Sequence, residues 1–256
     1  MRIALTGGAT GIGAAVAARF KQEGHQVIAF DITKPEANID QWIETDLSSQ
    51  DSISAAIKQT DGQFDALINN AGLPPREGLE ETILRVNFFG LKHFQNAMLD
   101  KLQAGASIIS TASRAGAMWR DNLDEVKALL ALAPSELSAF IADRNIDPVR
   151  AYNLSKEAVI VMTMSMTESM LARNLRINSV SPAAVSTGIL QDFAAAFGDK
   201  VSKNIARVGR AGDPAEIAEV IAFLASNDSR WINGQDIVID GGMSAIIGTD
   251  MMGLHN

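Results

Sequence analysis

The sequence predicts an α/β fold in which helices cover both faces of a doubly wound parallel sheet, and three observations carry that expectation. Short β-branched apolar runs bounded by Gly, Asn or Asp alternate with longer segments of helical period, the pattern of successive strand-helix-strand units. A glycine-rich stretch separates the first apolar run from the first helical segment. No repeat, low-complexity tract or Pro/Gly/Ser linker divides the 256 residues, so one domain spanning 1–256 is expected.

Taken in order, residues 2–6 read as a strand and 11–23 as a helix that Gly24 stops. Residues 26–31 form a second strand, 42–45 a weak third, and 48–59 a helix. A fourth strand is expected at 66–69, a long helix at 79–102 and a fifth strand at 106–110. Beyond these come a long helix at 148–173, a strand at 176–181, a helix at 214–225 and a last strand at 236–240.

Composition excludes several classes of function. A formal net charge of -8 disfavours nucleic acid and anionic membranes as partners, since both would repel the chain. With no cysteine, thiol nucleophiles, disulfides, iron-sulfur clusters and Cys-containing zinc sites are impossible, so any redox chemistry needs an organic cofactor. His25, His93 and His255 are scattered without metal-ligand spacing, and no metal is expected. The chain opens on an apolar strand rather than a secretory leader, and its most apolar stretch, residues 158–166, is too short to cross a bilayer. A cytoplasmic protein follows as the expectation.

Thr6-Gly7-Gly8-Ala9-Thr10-Gly11-Ile12-Gly13 occupies the strand-to-helix turn, where a dinucleotide pyrophosphate meets a helix N-terminus in a Rossmann-type fold. Gly7, Thr10, Gly11, Ile12 and Gly13 are its candidate cofactor-binding positions, with the spacing G-x-x-x-G-x-G. Asp31 ends the second strand, where a carboxylate can accept hydrogen bonds from the adenosine ribose. The same charge would repel a 2'-phosphate and no Arg lies nearby, so NAD(H) is expected in preference to NADP(H). A solvated strand-end Asp is the alternative.

With Asp46-Leu47, Asn69-Asn70-Ala71-Gly72, Asn87, Ser113, Tyr152-Asn153-Leu154-Ser155-Lys156, 182–187 and Asp240-Gly241-Gly242 added, the sequence resembles the short-chain dehydrogenase/reductase family from Thr6 to Gly242. The resemblance implies that Asp46 and Leu47 contact adenine and that Asn70, Ala71 and Gly72 line the cofactor. It also implies that Val185 and Thr187 hold the carboxamide, that Ser113 donates to the substrate oxygen, and that Asn87 holds a water behind the lysine. Ser110 and Thr111 crowd the same strand end and remain alternatives to Ser113, and Asn87 has a core or kink role as its alternative. Ala183 departs from the family, which commonly has Gly after the proline.

Tyr152, the one tyrosine, stands four residues before Lys156, so the two share a helix face. A phenol is a poor acid or base near neutrality, and a neighbouring ammonium aided by oxidised nicotinamide is expected to lower its pKa. Lys156 would also reach the nicotinamide ribose. Together with this pair, the resemblance implies hydride exchange between the cofactor and a secondary alcohol or ketone. An epimerase or dehydratase on the same scaffold, and a non-catalytic dinucleotide-sensing regulator, are the competing classes.

Tyr152 follows Ser113 by 39 positions, more than the family usually has there. The extra segment, about 117–147, carries two amphipathic patterns and predicts a helical hairpin inserted before the catalytic helix. An insertion here resembles the bacterial 3α-hydroxysteroid dehydrogenase/carbonyl reductase subgroup. In that subgroup it covers a helix face used for tetramers, implying a homodimer through the last predicted helix and strand. A substrate loop at 188–207, with Leu190, Phe193 and Phe197 as an apolar lid, suits a hydrophobic steroid, aryl or terpenoid substrate.

Overall fold

The computed structural model describes residues 1–254; His255 lies outside them. Among the described residues, seven strands form one all-parallel sheet in the order β3-β2-β1-β4-β5-β6-β7. They are β1 (Arg2–Thr6), β2 (Gln26–Asp31), β3 (Gln41–Glu44), β4 (Phe64–Asn69), β5 (Leu102–Thr111), β6 (Arg176–Pro182) and β7 (Asp236–Ile239). This is the doubly wound α/β fold that the sequence predicts.

The period-2 alternation of the strands decides which helix covers which face. Ile3, Leu5, Ala66, Ile68 and Val180 point to one side and pack with α1 (Gly11–Gln22) and α10 (Pro214–Ala225). Ala4, Ile28, Leu67, Ile108 and Ile177 point to the other, against α2 (Gln50–Lys58), α4 (Leu91–Met98) and the end of α7 (Pro148–Ala172). Asp147 caps α7 by accepting from Arg150 N–H at 2.6 Å, and Pro148 opens the helix.

The inserted segment is the expected hairpin, α5 (Leu123–Ala131) and α6 (Leu137–Arg144). Val126, Leu129, Leu137 and Phe140 are buried together with Leu154 and Val159 of α7. Asn145 ends α6 in the left-handed conformation (φ 49°).

Three predicted elements differ. The long helix at 79–102 is α3 (Glu80–Leu84), a π-helical turn (Arg85–Gly90) and α4, ended by a 3₁₀ turn (Leu99–Lys101). Leu102 belongs to β5, pairing with Phe64 across a register shift that leaves residues 103–106 outside the ladder. The loop at 188–207 is mostly helical, α8 (Leu190–Phe197) and α9 (Asp199–Val208), hinged at Gly198. A further helix, α11 (Met243–Met252), follows β7 where none was expected. No helix of the described residues is long and apolar enough to cross a membrane.

Candidate active site

Parallel register brings the C-terminal ends of the strands to one edge: Asn69 pairs with Thr6 and Ser110, and Ser110 with Ser179. Ligands of open α/β sheets bind along that edge, where the strand order reverses between β1 and β4.

The glycine loop fills the first gap. Gly7 has φ +70° and its N–H donates to Phe30 O at 3.0 Å. A Cβ on Gly13 would fall 1.8 Å from Gly7 O, so the turn closes only with glycine there. Thr10 is the N-cap of α1 without a side-chain hydrogen bond, and the first turn carries no acidic residue, an arrangement suited to an anion. Ile12 packs on the core beneath, and Gly11 lies against the Thr187 side chain. Asn70 closes the loop from β4, donating from Nδ2 to Gly7 O at 3.1 Å. Thr6 Oγ1 accepts from the N–H groups of Asn70 and Ala71 at 3.0 and 3.2 Å.

Asp31 is half-buried beside this loop, its carboxylate accepting from Ala9 N–H and Thr33 N–H, each at 2.9 Å. Asp46 and Leu47 lie further out, after β3. The Asp46 carboxylate accepts from the N–H and hydroxyl of Ser48, and Leu47 is buried among core residues. Val185 is buried and bridges to Gly212, with Thr187 two residues on. Ala183 keeps an ordinary negative φ and donates to Ile239 O at 3.1 Å, so the missing glycine leaves the strand end intact.

Tyr152 and Lys156 project from one face of α7 toward the end of β5, and both are almost fully buried. Lys156 Nζ donates to Thr111 O at 2.8 Å and stands 5.8 Å from the Tyr152 ring centroid. Burial pushes the phenol up to about 12, against a lowering hydrogen bond from the Ser113 hydroxyl, and pushes the ammonium down to about 8. In the protein alone burial therefore raises the phenol where a lowered value was expected, and the Lys156 ammonium donates to the Thr111 carbonyl.

The three hydroxyls at the end of β5 have separate positions. Ser110 is fully buried and accepts from Asn69 Nδ2 at 3.2 Å, and Thr111 Oγ1 donates to Asn70 Oδ1 at 3.2 Å. Ser113 Oγ accepts from Ala115 N–H at 3.1 Å, which leaves its proton for Tyr152.

Asn87 sits in the π-helical turn and is fully buried. Its Oδ1 accepts from Leu73 N–H at 2.7 Å and its Nδ2 donates to Leu73 O at 3.0 Å, so the turn pins the segment after β4. A Cβ on Gly72 would stand 3.3 Å from Asn87 Oδ1 and 3.5 Å from Lys156 Nζ, which puts all three side by side. The extra residue of a π turn re-aims the side chain at its centre and is common at functional sites.

Two features escaped the sequence. Phe193 of α8 lies edge-on to Tyr152, and Arg76 Nε and NH2 donate to the Asp192 carboxylate at 3.0 and 2.8 Å, tying α8 to the segment after β4. Phe193 was legible as part of an apolar lid, but nothing in the sequence marks Arg76 and Asp192, 116 residues apart, as partners. A cavity of about 510 Å³ lies between α8 and α9, lined by Thr187, Leu190, Gln191, Ala194, Val201 and Ile205 among others.

Residues 2–123 match the short chain dehydrogenase family, and residues 136–244 match a family described as Enoyl-(Acyl carrier protein) reductase. Most of α5 falls between the two matches. Coniferyl-alcohol dehydrogenase of Pseudomonas sp. (strain HR199 / DSM 7063) is 34% identical over 247 residues, 95% of this chain and 96% of that protein. The 3-alpha-hydroxysteroid dehydrogenase/carbonyl reductase of Comamonas testosteroni is 29% identical over 251 residues, covering 96% of this chain and 97% of its own. The crystal structure of the 3-alpha-hydroxysteroid dehydrogenase from Pseudomonas sp. B-0831 complexed with NADH superposes with a TM-score of 0.85 at 30% identity, covering 96% and 98% of the two chains.

Proposed function

The chain belongs to the short-chain dehydrogenase/reductase family of oxidoreductases, and from that premise we propose that it exchanges hydride between NAD(H) and a hydrophobic secondary alcohol or ketone. The observation that carries this is the convergence of Ser113, Tyr152 and Lys156 at the end of β5, one turn of α7 and one hydroxyl brought together in a desolvated site.

The glycine loop, the uncapped start of α1 and the Asp31 carboxylate fit a dinucleotide: the first two suit its pyrophosphate and the third its adenosine ribose. Asp31 favours NAD(H), since a 2'-phosphate would meet a carboxylate. Asp46 and Leu47 would lie under the adenine, Asn70 to Gly72 along the middle, and Val185 with Thr187 at the carboxamide. When bound, the nicotinamide supplies or accepts the hydride.

The remaining work falls to this chain's side chains. In ketone reduction Tyr152 Oη gives its proton to the substrate oxygen while the Ser113 hydroxyl donates a hydrogen bond to the same oxygen. In alcohol oxidation Tyr152 takes the proton back, which requires its phenolate. The Lys156 ammonium stabilises that phenolate and would hold the ribose, and Asn87 secures the segment that faces Lys156. Burial holds the phenol up at about 12 in the protein alone, and the positive charge of an oxidised nicotinamide beside it would act in the lowering direction.

Phe193, Phe197 and Leu190 support an apolar substrate, and the coniferyl-alcohol and hydroxysteroid relatives widen the range to aryl-allyl and polycyclic alcohols. A homodimer in the cytoplasm completes the proposal. Trp231, Phe223 and Val238, 97%, 43% and 42% exposed around the unpaired edge of β7, support a contact there. Light scattering should give the mass of two chains; four chains would refute the dimer.

The deciding experiment follows NADH absorbance with a panel of hydrophobic ketones and alcohols. Turnover by the wild type and a fall of at least a hundredfold in Tyr152→Phe are expected. No NAD-linked turnover with any alcohol or ketone would overturn the proposal.

A further inference from the structure

Glu157 follows Lys156 on α7, is 1% exposed, and has no part in the proton and hydride chemistry above. Its carboxylate is nevertheless fully engaged. Oε1 accepts from Asn122 Nδ2 at 2.7 Å and from Arg150 NH1 at 3.0 Å, and Oε2 accepts from Arg150 NH2 at 2.7 Å. Arg150 also donates from Nε to Glu125 Oε2 at 2.9 Å.

The placement of these groups gives the network its meaning. Arg150 and Glu157 are seven residues apart, two turns of the helix, and bracket Tyr152 and Lys156. Asn122 and Glu125 belong to the inserted segment, nine and twelve residues after Ser113. Between them, a Cβ on Gly116 would fall 2.9 Å from both Lys156 C and Glu157 N, so the turn that follows Ser113 rests directly on the helix backbone. The chain from Ser113 to Glu125 is thus fastened to α7 twice, with Glu157 common to both contacts, its backbone N–H beneath Gly116 and its carboxylate on Asn122.

A buried ion pair is a poor source of stability, because apolar residues of similar size usually do as well without the desolvation penalty. What a bidentate guanidinium-carboxylate pair adds is a fixed direction and distance. We propose that Glu157, held by Arg150 and gripped by Asn122, is a positioning residue that sets the Ser113 turn at its working distance from Tyr152. The inserted segment is in consequence part of the active-site scaffold, besides any effect on assembly. This rests on the dehydrogenase function proposed above.

Asn122→Ala, Glu157→Gln and the apolar replacement Arg150→Leu/Glu157→Leu test it. Asn122→Ala should melt within a few degrees of the wild type and keep its NADH affinity, the latter read by fluorescence titration, while kcat falls about tenfold with little change in KM. The Leu pair should restore the melting temperature lost in Glu157→Gln but leave kcat low. Wild-type kcat in both Asn122→Ala and the Leu pair would overturn the proposal, the network being then structural alone. A readout independent of turnover uses the single tyrosine, whose one ¹³Cζ resonance responds to the hydrogen bond from Ser113. In Asn122→Ala it should move toward its position in Ser113→Ala; coincidence with wild type would refute the positioning role even if no substrate were found.

Discussion

Phe193 meets Tyr152 edge to face, with ring centroids 5.1 Å apart and planes at 68°, and Phe197 stacks behind Phe193 at 6.4 Å. The lid thereby touches the proposed acid-base group itself, and Arg76 holds the preceding residue, Asp192, in a bidentate pair. An aromatic pair of this geometry contributes about 0.5–1.5 kcal/mol beyond area burial. Phe193→Ala should therefore raise KM for an apolar ketone about tenfold, leave NADH affinity unchanged, and admit bulkier substrates. Steady-state kinetics over a graded series of ketones checks this, and an unaltered KM across the series would mean that the substrate does not meet this ring.

At the other end of the cleft, Gly13 leaves no room for a methyl group against Gly7 O. Since the obstacle is backbone of the same loop, Gly13→Ala must displace the turn proposed to hold the pyrophosphate. Overpacking of this kind costs about 1–3 kcal/mol. The variant should lose NADH binding by fluorescence titration and melt several degrees lower, whereas Gly188→Ala, with open space around its Cβ, should do neither.

Cofactor choice is a separate question from cofactor binding. Asp31 places a carboxylate at the end of β2 beside the glycine loop, held by two backbone N–H groups. Asp31→Asn keeps the size and removes the charge. The ratio of kcat/KM for NADPH to that for NADH should rise about tenfold or more, chiefly by improving NADPH. If the ratio is unmoved, Asp31 does not set the proposed cofactor choice.

Much of this architecture was legible because its causes are local. The 2-residue period of Ile3-Ala4-Leu5, the glycines at 7 and 13 and the four-residue step from Tyr152 to Lys156 each answer to short-range geometry. The π-helical turn was not legible, since its extra residue accommodates the Leu73 backbone bound by Asn87, a contact between residues 14 apart. Two helices hid in the expected substrate loop. In α9 the signal was present, with Val201, Ile205 and Val208 at helical spacing among charged residues, but the preceding glycines favoured a loop. The expected lowering of the Tyr152 pKa is reversed in the protein alone, because the shift depends on how deeply tertiary packing buries the phenol.

Lys156 gives the protein a stability signature of its own. Burial lowers the ammonium from its ordinary 10.5 to about 8, so between those values the unfolded chain binds a proton there that the folded chain does not. Stability then rises with pH across that window, by about 3 kcal/mol in total for this one group, and is lost as pH falls through about 8. Tyr152 acts oppositely and higher up: its raised value, about 12 against 10, favours the folded state below pH 10 and lets that contribution fade as pH climbs toward 12. Other groups titrate over the same range, so the difference between wild type and Lys156→Met isolates the lysine. Urea midpoints measured from pH 7.5 to 9.5 should show the wild type gaining on the variant with each step. A constant difference would mean that the lysine keeps its ordinary pKa in the folded protein, and that its ammonium is available to the phenolate over the whole neutral range.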